Sequence, residues 1–127
     1  MSRRSLRLLA FLALALVTTL AACGTAASRK VDANEAVGML AARTVIDVRT
    51  PTEFAAGHIA GATNIDVEAA DFGAKIAALD PKAAYLVYCH SGRRSAIAAK
   101  TMVDAGFRDI ADGGALDALI AAGAPRG

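Results

Sequence analysis

Short runs suited to strands alternate along residues 31–127 with segments whose apolar residues fall at helical spacing. That alternation limits the fold more than any other feature. The strand candidates are "TVIDV" (44–48), "ATNI" (62–65), "AAYLVY" (83–88) and "RDIA" (108–111). The first and third are β-branched or aromatic runs without internal polar alternation, as expected for strands buried on both faces. Between them, Asp32 stands as an N-cap with Glu35 three residues on, and Ala36, Val37 and Leu40 share a face. Thr50, Pro51 and Glu53 mark a second helix start. Phe72, Ile76 and Leu79 fall at helical spacing within 67–79. Ala98, Met102 and Ala105 line a fourth helix, closed by Gly106. "ALDALIAAG" ends the chain's pattern as a fifth. Such alternation predicts an α/β domain with a mostly parallel central sheet and helices on both faces.

The chemistry concentrates after the strongest strand, in Cys89-His90-Ser91-Gly92-Arg93-Arg94. Ligands of open α/β sheets bind outside the carboxyl ends of strands. A tight strand-to-helix loop there turns backbone N–H groups inward, and the helix N-terminus adds partial positive charge. Gly92 permits backbone dihedrals that a β-carbon opposes. These effects favour a sulfur anion, so Cys89 is expected to ionise below an ordinary thiol. Arg93 and Arg94 add permanent charge, which suits a nucleophilic sulfur that attacks an anionic substrate. The blander reading, a small buried core cysteine, sits poorly beside a glycine and two arginines.

"CHSGRR" resembles the active-site loop of rhodanese-like sulfurtransferases, Cys-x-x-Gly-x-Arg. "VIDVRTPTEFAAGHIAGATNI" (45–65) is similar to the family's run from Asp-x-Arg through Glu-Phe to Gly-His-Ile-x-Gly-Ala, and "GF…DGG…AAGAP" (106–125) to its C-terminal pattern. The resemblance implies a rhodanese fold in which Cys89 takes a sulfane sulfur from a small anionic donor such as thiosulfate. It then passes that sulfur from a persulfide to cyanide or a thiol, including a protein thiol. Residues 90–94 would cradle the persulfide, Arg94 would orient donor or loop, and no cofactor or metal is implied beyond the covalent intermediate. A partner-binding or persulfide-carrying module without turnover is the rival. Related phosphatases and arsenate reductases use a longer Cys-x₅-Arg loop, whereas Arg94 follows Cys89 after four residues and Ser95 holds the longer register. Asp66 stands where the family often has proline, and Leu119 where tryptophan is frequent.

Asp47 and Arg49 follow a strand and are placed to support the loop; the simpler expectation is that Arg49 pairs with Glu53 while Asp47 accepts from backbone donors. His58 reads as structural, and His90 and Arg93 as loop side chains that face solvent or substrate.

The first 22 residues carry arginines at 3, 4 and 7, an apolar run from 8 to 20 and small residues before Cys23, the order of an export signal. The apolar run is short for a stable span. Leu20-Ala21-Ala22-Cys23 resembles the lipobox of bacterial lipoproteins, which implies cleavage before Cys23, lipid on its sulfur and attachment to the extracytoplasmic face of a bacterial membrane. An uncleaved anchor or a plain secretory signal is the alternative. Residues 23–30 then read as lipidated N-terminus and tether, and 31–127 as the domain. Without the three signal arginines, the 14 Lys and Arg become 11 against 12 Asp and Glu. No broad basic field remains for nucleic acid. A lipidated Cys23 would leave Cys89 unpaired in an oxidising compartment.

Overall fold

The computed structural model describes residues 27–127. The signal segment and Cys23 lie outside the described residues.

Five strands form one all-parallel sheet in the order β1-β5-β4-β2-β3. They are β1 (Ser28–Lys30), β2 (Thr44–Asp47), β3 (Thr63–Asn64), β4 (Tyr85–Cys89) and β5 (Ile110–Ala115). The helices between them are α1 (Ala33–Met39), α2 (Pro51–Ala56), α3 (Phe72–Ala77), α4 (Arg93–Asp104) and α5 (Leu116–Ala121). The α/β expectation holds, with β4 at the centre and buried along its whole length.

Alternation along the strands divides the core. Ile46, Tyr85, Val87 and Cys89 face α3 and α4, where Phe72, Ile76, Ala98 and Met102 pack. Val45, Leu86 and Tyr88 face the other way, against Ala36 of α1 and Leu116 and Leu119 of α5. Leu119 is fully buried in the place where the related pattern often has tryptophan. At about 1.5–3 kcal/mol for each fully buried aliphatic side chain, these two layers supply most of the driving force.

Three boundaries differ from the sequence reading. Ser28–Lys30, read as the end of a tether, is an edge strand paired with Ile110, Ala111 and Asp112 of β5. The helix expected over 67–79 is confined to Phe72–Ala77, because turns at 69–71 precede it. β5 runs through the glycine pair to Ala115, beyond the expected 108–111. There β5 bulges: Asp112 lies opposite Val87 and Gly114 opposite Tyr88, leaving Gly113 as the extra residue. A β-carbon on Gly113 would come within 3.2 Å of Leu86 Cδ2, and Gly114 sits at φ +79°. The positive φ calls for glycine at 114, and the close approach of Leu86 leaves little room for a side chain at 113.

Candidate active site

Cys89 ends the central strand β4, and α4 begins four residues later, so the loop joins two rigid, buried elements. Gly92 makes the connection with φ +96° and acts as the N-cap of α4 without a capping side chain. Its backbone N–H donates to Cys89 Sγ at 3.0 Å. Ser95, fully buried in the first turn of α4, donates its hydroxyl to the Gly92 carbonyl at 3.1 Å and fixes the turn. Burial pushes the Cys89 thiol up, but donors from the Ser95 amide and hydroxyl and from the Gly92 and Ser91 amides outweigh it. The net shift is downward, toward the thiolate. Cys89 itself is inaccessible at the floor of the loop. It packs with Ala98 as a core residue does, yet its sulfur takes a backbone donor, which a merely space-filling cysteine has no need of. His90, Ser91 and Arg93 are exposed around it.

Arg94 does not point its charge into open solvent. Its Nη1 and Nη2 each donate at 2.8 Å to the two carboxylate oxygens of Glu53 on α2, and Glu68 lies 3.8 Å away. Of the two roles the resemblance implies for Arg94, holding the loop is the one this geometry performs. Glu53 also closes the capping box of α2: its backbone N–H donates to Thr50 Oγ1, while its Oε1 accepts from the Thr50 hydroxyl and amide. The Arg94 guanidinium, with help from Thr50, holds the Glu53 carboxyl down at about 2.

Asp47 and Arg49 do not reach the Cys89 loop in the way their position suggests. They pair with each other, Arg49 Nη2 donating to Asp47 Oδ2 at 2.6 Å, and Arg49 Nε bridging both carboxylate oxygens. The expected Arg49–Glu53 pair is therefore corrected. Arg49 also donates to the Gly57 carbonyl at 2.7 Å and lies over the Tyr88 ring. Asp47 Oδ1 accepts the Arg49 amide as well, so its expected role toward backbone donors is present. Asn64 donates from Nδ2 to the carbonyls of Asp47 and Arg49, tying β3 to the end of β2. His58 stacks on Phe54 and hydrogen-bonds its carbonyl through Nδ1, a structural contact at the end of α2.

Glu53, Ser95 and Asn64 were not singled out for the site from sequence. Glu53 was legible as a helix-capping residue and as a partner for Arg49, but its link to Arg94 spans 41 positions. Among the described residues, no group of three or more His, Cys, Asp or Glu is placed to hold a metal ion. A hollow of about 550 Å³ lies at the opposite end of the sheet between α1 and the start of β2, lined by Val37, Leu40 and Thr44.

Residues 31–115 match the profile of the Rhodanese-like domain. The thiosulfate sulfurtransferase GlpE of Pseudomonas aeruginosa is 44% identical over 73 residues, which cover 55% of this chain and 64% of that protein. The chain thus spans somewhat less than two thirds of the length of that relative. Among solved structures, a rhodanese-related protein from Thermoplasma volcanium superposes with a TM-score of 0.69 at 30% identity, covering 78% of this chain and 97% of the other. A rhodanese-like domain from Anabaena superposes with a TM-score of 0.70 at 26% identity, covering 77% of each chain.

Proposed function

We propose that this chain, which belongs to the rhodanese-like domain family, is a sulfurtransferase that carries sulfane sulfur on Cys89. One observation carries the reading: Cys89 Sγ accepts the Gly92 amide in a loop that opens a twelve-residue helix. Inward amides and the helix terminus stabilise a sulfur anion before and after sulfur is added. The Cys89 thiolate attacks the outer sulfur of thiosulfate. The S–S bond of the donor breaks, sulfite leaves with the electron pair, and Cys89 becomes a persulfide anion. Cyanide or a thiolate then attacks the terminal sulfur, forming thiocyanate or a new persulfide and returning Cys89 as thiolate. The curated relative named as a thiosulfate sulfurtransferase supports this choice of donor.

Phosphoryl or arsenate chemistry is less well served, since both Nη groups of Arg94 are engaged by Glu53. A persulfide carrier for a partner protein is the alternative reading, favoured by the exposed His90, Ser91 and Arg93 around Cys89, which a partner surface could meet. Attachment through a lipidated Cys23 at the extracytoplasmic face of a bacterial membrane belongs to the same proposal and is supported by the residue order of 1–23. The described residues contain no helix long and apolar enough to cross a membrane.

Thiocyanate formation from thiosulfate and cyanide tests the reading. Turnover by the wild type that falls to background in Cys89→Ser is the expected result. Sulfur exchange seen only with a protein thiol as acceptor would favour the carrier. No sulfur transfer from any sulfane donor, with Cys89 shown to be reduced, would defeat both.

A further inference from the structure

The cation supplied by the Cys-x₄-Arg pattern is matched inside the protein, because Arg94 gives both Nη groups to Glu53. Thiosulfate nevertheless brings a dianion to the loop. Another cation stands at its rim. Lys30 ends β1, and its Nζ lies over the two glycines that frame the site: a β-carbon on Gly92 would be 3.6 Å from it, and one on Gly114 only 2.6 Å. Gly92 is the residue whose amide donates to Cys89 Sγ. Strand pairing of Lys30 with Asp112 fixes the base of this side chain.

The Lys30 charge is only loosely paired. Its nearest acid is Asp112, whose Oδ1 lies 3.7 Å from Nζ, beyond hydrogen-bond distance, and already accepts the Gly114 amide at 3.0 Å. The side chain is 60% exposed, so an incoming anion can meet it. Lys30 also lies one residue before the span that matches the family profile.

We propose that Lys30 is a specificity-determining residue of the Cys89 site, selecting anionic sulfur donors by holding their charged end at the rim of the loop. This rests on the sulfurtransferase reading above. The glycine at 114 then serves a second purpose, since a β-carbon there would stand 2.6 Å from Nζ and displace the ammonium.

Alkylation of Cys89 by iodoacetate and by iodoacetamide, compared in the full-length protein at low ionic strength and read from the mass of the Cys89 peptide, tests it. The two reagents differ mainly in charge. Lys30→Gln should lower the iodoacetate rate roughly two- to fivefold relative to iodoacetamide, the scale of a partly exposed charge interaction. Lys30→Arg should restore most of the preference, and added salt should erase it in the wild type. The KM for thiosulfate should rise by a similar factor in Lys30→Gln, while transfer from preformed persulfide to a neutral dithiol keeps its rate. Equal slowing with both reagents would reduce Lys30 to a loop-packing residue, and no change with either would remove it from the site; both results overturn the proposal. Wild-type protein that never accepts sulfur from thiosulfate defeats the sulfurtransferase reading by itself. Normal sulfur uptake with an unchanged reagent preference in Lys30→Gln defeats only the role of Lys30.

Discussion

Two arginine–carboxylate pairs flank the same end of the sheet, and their surroundings give them different work. Asp47 and Arg49 are two residues apart, with side chains 0% and 5% exposed. Glu53 and Arg94 are 41 residues apart, with side chains 32% and 17% exposed. The first pair closes on itself and on the Gly57 carbonyl, so it builds the scaffold under the site. The second joins α2 to the first turn of α4 and so holds the Cys89 loop from outside. Burial makes the first pair indispensable once present, since either partner alone would be a dry, unmatched charge. Partial exposure makes the second a clamp that can loosen without unfolding the domain.

The sharpest way to break that contrast is to remove one member of each pair. Asp47→Ala should cost about 3–5 kcal/mol of stability by leaving Arg49 buried and unpaired. Glu53→Ala should cost on the order of 1 kcal/mol yet lower sulfur transfer, because Arg94 and the loop lose their tie. Urea unfolding and turnover, measured on both variants, check this. Equal losses of stability would erase the distinction.

Acid sharpens it next. The Glu53 carboxyl titrates at about 2 in the folded protein against an ordinary 4.5. Its contribution is therefore complete above pH 4.5 and is lost as the pH falls from there through about 2. After solvent screening that contribution is about 1 kcal/mol. In Glu53→Gln the stability profile should be correspondingly flatter across this window. An unchanged slope would mean that the clamp carries no net energy.

The smallest effect concerns the loop itself. Ser95→Ala removes the single hydroxyl hydrogen, which can go either to the Gly92 carbonyl or to the Cys89 thiolate. The pH profile of Cys89 alkylation should move up toward an ordinary thiol, with the remaining amides keeping part of the depression. A profile that does not move would assign the thiolate to the helix terminus and backbone alone.

Much of this was legible because local signals and tertiary packing agree. β2 and β4 are apolar runs in sequence and are buried on both faces, and the strand–loop–helix around Cys89 appears where the residue types place it. β1 was not legible: Ser-Arg-Lys has no apolar pattern, and its pairing comes from β5, some 80 positions away. The end of β5 was not legible for a different reason, because glycines carry no strand signal, and Gly113 and Gly114 fit there through a bulge and a close approach to Leu86. Arg49 does not make the expected pair with Glu53; it precedes α2, so helical spacing does not bring the two together. Extended backbone instead puts Asp47 and Arg49 on one side, two residues apart. The Glu53–Arg94 link bridges α2 and the first turn of α4 across 41 positions, which no local pattern announces.

The central claim is that Cys89 carries sulfur. Mass spectrometry of the peptide containing Cys89, from reduced full-length protein before and after thiosulfate, addresses it directly. The expected result is a gain of one sulfur, about 32 Da, that is removed by cyanide or a thiol and missing from the same peptide in Cys89→Ser. A reduced Cys89 that stays at its original mass with thiosulfate and with other sulfane donors would contradict it.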